Sequence, residues 1–146
     1  NVNGFKNCMC SEKKLAKALA RMTYAFSNAT CAKVNMITGE AYGSAYVFMN
    51  SKSIGADLVY AWNDAKIGTM DSTMAAKIMY PDADAAEIKE KASEYEKLQS
   101  SATSAAARGY VDRIIEPADS RKYLVAAFEM LYTKYVGEPE KKHGTK

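Results

Sequence analysis

The chain has 146 residues and a net charge of +3, enough for one domain that buries about two-thirds of the surface its unfolded form exposes. Acids and bases alternate in "SEKKLAK" and "AAEIKEKASEYEK" instead of gathering into a cationic stripe, which argues against a nucleic-acid partner. With 48% hydrophobic and 25% charged residues the composition is that of an ordinary globular domain, and no apolar run approaches the ~20 residues that cross a bilayer.

Cys8, Cys10 and Cys31 are odd in number and lack the paired spacing of a zinc site. The expectation is therefore reduced thiols, no metal, and a cytoplasmic protein without a signal peptide. Asn1 stands where a starting methionine would, so the first residue reads as a boundary or a cut. The basic tail "EKKHGTK" reads as a solvated end.

Residues 1–10 read as a strand end and a loop, with Asn3 and Gly4 as turn formers. Ser11 is a candidate N-cap for a helix through about Asn28, with Leu15, Leu19, Met22 and Phe26 on one face and Lys13, Lys14, Lys17 and Arg21 on the other. "AKVNMIT" has the alternation of a strand and stops at Gly39. A second helix begins near Gly43 or Ser44 and runs through "AYVFMN". "ADLVYAW" and "AKIGTM" read as two short strands. Asp71 or Ser72 caps a helix through Tyr80, and a charged helix with its own cap and acidic first turn spans Asp84 to Leu98. "SSATSAAARG" reads as a helix of small residues, packed closely on a neighbour and closed by Gly109 at C′. "YVDRIIE" is extended. Pro117 opens a last helix with Leu124, Ala127, Phe128, Leu131 and Tyr135 as its apolar stripe. Three or four strands among helices make an α/β chain, with no internal repeat.

One stretch carries chemistry. A strand ending in Gly39, a loop of small residues and a helix start near Ser44 together make a place for a ligand oxygen. The first N–H groups of a helix have no internal partner, and its dipole adds positive potential there. Such N–H groups stabilise an oxygen that gains charge without reorganising. Gly43, Ser44 and Ala45 keep bulk away from it. Small residues also permit close helix–strand packing, and spacing alone leaves both readings open.

"AYGSAYVFMNSKSIGADLVYAW", with "AARGYVDRIIEPADSRKYLVAAFEML" and "KKHG", resembles the C-terminal part of the biotin-dependent acyl-CoA carboxyltransferases. These include the β-type subunits of acetyl-CoA and propionyl-CoA carboxylases and the methylmalonyl-CoA and glutaconyl-CoA decarboxylase α subunits. The family pattern is close to A-Y-G-G-A-Y-x-x-M-x-S-K-x-x-G-A-D-x-x-Y-A-W and later R-G-Y-V-D-x-V-I-E-P. Ala41 to Trp62, Arg108 to Pro117 and Arg121 match it almost position by position, and the likeness covers residues 1–146 as a single domain, part of the family's C-domain.

The resemblance implies a crotonase-like spiral of ββα units, here partial, and oligomers in which the site lies between the N-domain of one subunit and the C-domain of another. It implies carboxyl transfer between carboxybiotin, carried on a biotin carboxyl carrier domain, and an acyl-CoA. The N-terminal carboxyltransferase domain would hold most of the CoA. The backbone N–H groups of Ser44 and Ala45 would hold the biotin carbonyl oxygen. Gly43, Tyr46, Val47, Met70 and Asp71 would surround the substrates, with Val47 favouring an aliphatic acyl group.

Departures from the pattern cluster at both edges of the site. "NVNGF" replaces D-x-P-G-F, and "YAWNDAKIGTMDSTMA" differs from YAWPxAEIAVMGPEGA at Asn63, Lys66, Asp71 and Met74. Where the family has glycine, Asp71 is expected to restrict the backbone and to add negative charge near the ligand. A non-catalytic assembly subunit with a degenerate biotin site is therefore a second reading. A crotonase-like acyl-CoA enzyme without biotin is a third, and lacks a placeable acidic pair. His143, the single histidine, reads as solvated. Trp62 and the tyrosines read as core or interface. Asp112 reads as structural, orienting a turn or pairing with an arginine, and the acids of "KIMYPDADAAE" read as a solvated loop.

Overall fold

The structure, a computed structural model, describes residues 1–137; His143 and the basic tail lie outside them. Helix α1 spans Met9–Asn28, with Cys8 as its N-cap. Ser11, expected to cap it, already lies in the first turn, and its hydroxyl donates instead to the Lys6 carbonyl at 2.7 Å. The helix starts early enough to place Ser11 past the capping position.

Two ββα units follow. In the first, β1 (Val34–Ile37), β2 (Glu40–Tyr42) and α2 (Gly43–Phe48) succeed one another; in the second, β3 (Leu58–Trp62), β4 (Lys66–Gly68) and α3 (Ser72–Met79) repeat the order. β1 pairs in parallel with β3 and β2 with β4, so each unit lays its strands beside their counterparts. Helix α4 (Ala85–Tyr95), a π-helical turn (Glu96–Ser100), α5 (Ala102–Ala107), β5 (Arg113–Ile115) and α6 (Ser120–Met130) complete the chain. β5 joins the first sheet beside β3, which gives five strands in two parallel sheets among the described residues. Val2 adds a parallel bridge to Ala41 at the edge of the second sheet.

β3 is central and buried on both faces, as a parallel strand covered from two sides must be. Val59 and Ala61 are fully buried against a core with many alanines, among them Ala41, Ala65, Ala102 and Ala105. On the other face Tyr60 stacks at an angle on Tyr123 of α6, with ring centroids 5.7 Å apart. Ala127 makes the close contact of α6 with this sheet at 0% exposure. The expected apolar stripe is only partly used: α6 ends at Met130, with Leu131 as its C-cap, so Tyr135 lies beyond the helix, 91% exposed, and on the helix itself Phe128 is 50% exposed. A short helix lying on the sheet along one narrow line buries the small residue at the contact and turns its larger neighbours outward.

The sequence between the two sheets departs from expectation. β1 ends at Ile37, and no loop of small residues follows Gly39; Glu40–Tyr42 form a second strand that runs directly into α2. Pairing of Ala41 with Ile67 and of Tyr42 with Gly68 extends this segment up to the helix. The turn is made by one residue, Gly43, with φ +62°.

Small residues of α5 serve the π-helical turn before it. The carbonyls of Lys97 and Leu98 accept from the Ser101 and Ser104 hydroxyls at 3.1 and 2.7 Å. A π turn leaves such carbonyls without their usual α-helical donors. α5 then closes as expected: Gly109 is left-handed at φ +81°, its N–H reaches the Ala106 carbonyl, and the Tyr110 N–H reaches that of Ala105. Asp112 pairs with Lys52 at 2.7 Å, not with an arginine, and accepts the Val59 N–H at 2.8 Å, which ties the start of β5 to β3.

Residues past α6 are pinned by Lys134, which reaches Asp57 at 2.9 Å and the Cys31 carbonyl at 3.0 Å. Burial alone would raise the Asp57 pKa, but the hydrogen bonds from Lys134 and from the Lys33 backbone, with the two lysine charges, hold it below the usual carboxylate value. A depressed carboxyl stabilises the fold at pH above its unfolded value, and that contribution is lost as pH falls through the folded one. Asp57→Asn should therefore lose about 1 kcal/mol at neutral pH and show a shallower acid dependence of its urea midpoint than the parent. A second outcome concerns the turn: Gly43→Ala places a Cβ at φ +62° and 3.1 Å from the Thr69 carbonyl oxygen, which should cost about 1–3 kcal/mol in the same denaturation measurement.

Candidate functional site

Gly43 brings β2 into α2 so that the first turn of the helix emerges between two clefts. Tyr42 is the N-cap residue and offers no side-chain cap. The N–H groups of Ser44 and Ala45 precede the intrahelical ladder, and no acceptor among the described residues takes either of them. Ser44 is exposed and Ala45 is buried, and both line the same cleft.

The first cleft, about 400 Å³, is lined by Gly43, Ser44 and Ala45 on one side and by Met70, Asp71 and Met74 on the other, with Phe5 and Glu40 at its margin. The second, about 550 Å³, shares Gly43, Ser44 and Thr69 with the first and continues past Tyr46 and Val47 to Tyr95, Arg108 and Tyr110. All seven residues singled out from the sequence thus line one cleft or both. Gly43 and Ser44 form the divide; Ala45, Met70 and Asp71 belong to the first cleft, Tyr46 and Val47 to the second.

The clefts differ in charge. Glu40 and Asp71 line the first, and among the described residues no lysine or arginine does. Burial pushes the Tyr42 hydroxyl up to about 12, with Glu40, Asp71 and Glu96 adding to the effect, so the phenol stays neutral. In the second cleft Arg108 is the cation, steadied by the Gln99 side chain and by its carbonyl at 3.4 Å. Burial, and then Tyr110, raise the Tyr46 hydroxyl as well.

Asp71 does not carry the expected strain. Its φ of −57° is ordinary for any residue, and its carboxylate accepts the Thr73 and Met74 N–H groups as the N-cap of α3. The charge is real but is spent partly on the positive end of that helix. The chemistry available at the ridge is hydrogen-bond donation. With the single histidine at position 143, no imidazole within the described residues can activate the Ser44 hydroxyl as a nucleophile.

The sequence reading missed Thr69 and Tyr95. Thr69 lines both clefts, and its carbonyl is the surface against which Gly43 sits. Tyr95 meets the Thr69 hydroxyl at 3.3 Å. Both lie in quoted stretches, "AKIGTM" and "AAEIKEKASEYEK", but were read there only as parts of a strand and of a charged helix. Arg108 and Tyr110 lie within another, "ARGYVD", but nothing local marked them as neighbours of Ser44.

Comparison with known proteins agrees with this architecture. The model of the carboxyl transferase domain matches residues 1–145. The chain is 47% identical over 131 residues to a putative propionyl-CoA carboxylase beta chain of Bacillus subtilis (strain 168), covering 86% of this chain and 26% of that protein. It is 41% identical over 134 residues to the methylmalonyl-CoA carboxyltransferase 12S subunit of Propionibacterium freudenreichii subsp. shermanii, covering 86% and 25%. A crystal structure of transcarboxylase 12S, described as a hexamer with methylmalonyl-coenzyme A and methylmalonic acid bound, superposes with a TM-score of 0.91 at 39% identity, over 99% of this chain and 28% of that one. The beta subunit of P. aeruginosa geranyl-CoA carboxylase shares the fold at a TM-score of 0.75 and 22% identity, over 96% of this chain and 29% of that one. The chain therefore spans about a quarter of the length of the relatives it matches. No helix among the described residues is long and apolar enough to cross a membrane. A ββα spiral that superposes on these carboxyltransferases along nearly its whole length, with a family match over residues 1–145, makes the chain a member of the carboxyl transferase domain family with a crotonase-like fold.

Proposed function

We infer that this chain is the biotin-facing part of a carboxyltransferase, which moves a carboxyl group between carboxybiotin and an acyl-CoA. The observation that carries the reading is the pair of unpartnered N–H groups at Ser44 and Ala45, opening beside Gly43 onto a cleft of about 400 Å³. That volume lies in the range of small-ligand sites, and the small residues Gly43, Ser44 and Ala45 along its wall would let a bicyclic ring approach bare backbone. The likeness to carboxyltransferases and decarboxylases of propionyl- and methylmalonyl-CoA supports the same reaction class.

Carboxybiotin, delivered on a carrier domain, supplies the transferable carboxyl group. The chain's own part is to bind and orient. Ser44 and Ala45 donate to the ureido oxygen, and the donation strengthens as that oxygen gains charge, which is where fixed dipoles lower a barrier. Because the donors are main-chain, a serine at position 44 serves as well as a glycine. Val47 and Tyr46 face the second cleft, where an aliphatic acyl group would meet apolar surface and tyrosine rings. CoA itself would be held chiefly by an N-terminal carboxyltransferase domain within a homo- or hetero-oligomer, in the cytoplasm.

A non-catalytic assembly subunit is the competing reading, and the substitutions at Asn63, Lys66, Asp71 and Met74 favour it. The ordinary backbone and capping role of Asp71 weigh against a damaged site.

The two readings separate in biocytin-dependent decarboxylation of methylmalonyl-CoA, with the chain assembled with a CoA-binding N-terminal domain. Ser44→Pro removes one N–H and should lower kcat about 100-fold, while Ser44→Ala, which keeps it, should stay near the parent. An intact assembly without turnover, or a Ser44→Pro variant as fast as the parent, overturns the proposal.

A further inference from the structure

The π-helical turn grips β4 and the loop after it at successive points. Glu96 pairs with Lys66 at 3.1 Å and accepts from the Ser72 hydroxyl at 3.4 Å. Ser100 is fully buried, and its hydroxyl would lie 2.9 Å from a Cβ on Gly68. Between these contacts, Tyr95 meets the Thr69 hydroxyl at 3.3 Å. Thr69 in turn presents its carbonyl to Gly43, 3.1 Å from where a Cβ would stand. A line of neighbouring groups therefore runs from the end of α4, through the Tyr95–Thr69 contact, to the carbonyl that faces Gly43, the residue that aims the first turn of α2.

The turn itself is costly to form, since π geometry is rare and found mostly as single turns, frequently at functional sites. Here its consequence is concrete. The Ser101 and Ser104 hydroxyls satisfy its Lys97 and Leu98 carbonyls, which holds Tyr95 at one edge of the turn and Ser100 at the other. Gly43 has no side chain to lock its height and relies on what it rests against. A shift of Thr69 would change the room left beside Gly43 and with it the aim of the Ser44 and Ala45 amides, and oxyanion donors act over a narrow range of distance.

The geometry points to Tyr95, acting through the Thr69 hydroxyl, as a positioning residue for the Ser44 and Ala45 amides. It touches no substrate in this role. The inference rests on the biotin-facing reading of the ridge only for the ligand that those amides hold; the mechanical link stands apart from it.

The test uses the full chain, isotope-labelled, with biocytin as the probe. Thr69→Val removes the hydroxyl at nearly constant shape, Thr69→Ser keeps it, and Tyr95→Phe removes the other partner from a distance. Thr69→Val and Tyr95→Phe should both displace the Ser44 and Ala45 amide resonances in the same direction and weaken biocytin binding about three- to tenfold, while Thr69→Ser leaves both near the parent. Unmoved Ser44 and Ala45 resonances in Tyr95→Phe, or displacements in Thr69→Ser as large as in Thr69→Val, overturn the proposal. Should the parent chain fail to bind biocytin while the resonances move as described, the positioning role holds and the biotin reading falls.

Discussion

Gly43 turns the backbone through the left-handed region, with the Thr69 carbonyl oxygen 3.1 Å from where a Cβ would stand, and both clefts share these two residues as a wall. A side chain at this position would have to push β4 and its loop away. With none, the second sheet and α2 close to a distance at which the first helical amides stand at the junction of two clefts instead of beneath a covering residue. The close approach also explains why the core here is made of alanines: Ala41, Ala65 and Ala105 let strand and helix backbones come together where larger residues would hold them apart.

Around this contact, the supports are of two kinds. Apolar packing fixes β3 at the centre, with Val59 and Ala61 excluded from water on one face and Tyr60 on the other. Polar ties then set the loops that packing alone leaves free. Asp112 bonds Lys52 and the Val59 N–H, Asp57 bonds Lys134 and the Lys33 N–H, and Glu96 joins β4 to α3. Each tie links an element end to a neighbour distant in sequence. They decide where the site's borders lie more than how stable the domain is, since such partly exposed pairs contribute little net energy.

The two clefts are chemically unequal although they share a wall. Glu40 and Asp71 make the first one acidic, and the Arg108 guanidinium gives the second a positive end. In the first the main-chain amides are the donors to hand, and the two carboxylates have the same sign as any charge that an acceptor oxygen would gain there. An anionic group meets less repulsion in the second. This asymmetry bears on how a carboxyl-bearing ligand would orient across the ridge, and it joins a residue that the family pattern shares, Arg108, to one that it does not, Asp71.

Local chemistry was readable along the chain wherever a residue satisfies its own neighbours. Asp71 and Asp84 cap helices because a carboxylate two or three residues ahead of free N–H groups accepts from them in any context; Gly109 ends α5 because a left-handed residue there favours glycine. The motif around Ser44 and Ala45 was legible in the same way, as small residues at a helix start. The second strand at Glu40–Tyr42, the outward turn of Phe128, and the roles of Thr69 and Tyr95 were not. The strand and the roles of Thr69 and Tyr95 depend on β4 lying beside β2 and on the segment after α4 folding back against β4, contacts between residues about 25 positions apart, and Phe128 depends on where α6 meets the first sheet. Periodicity and capping act within a few residues, whereas pairing of distant strands is chosen by the whole core as it closes, so it was tertiary packing that set the ridge between its two clefts.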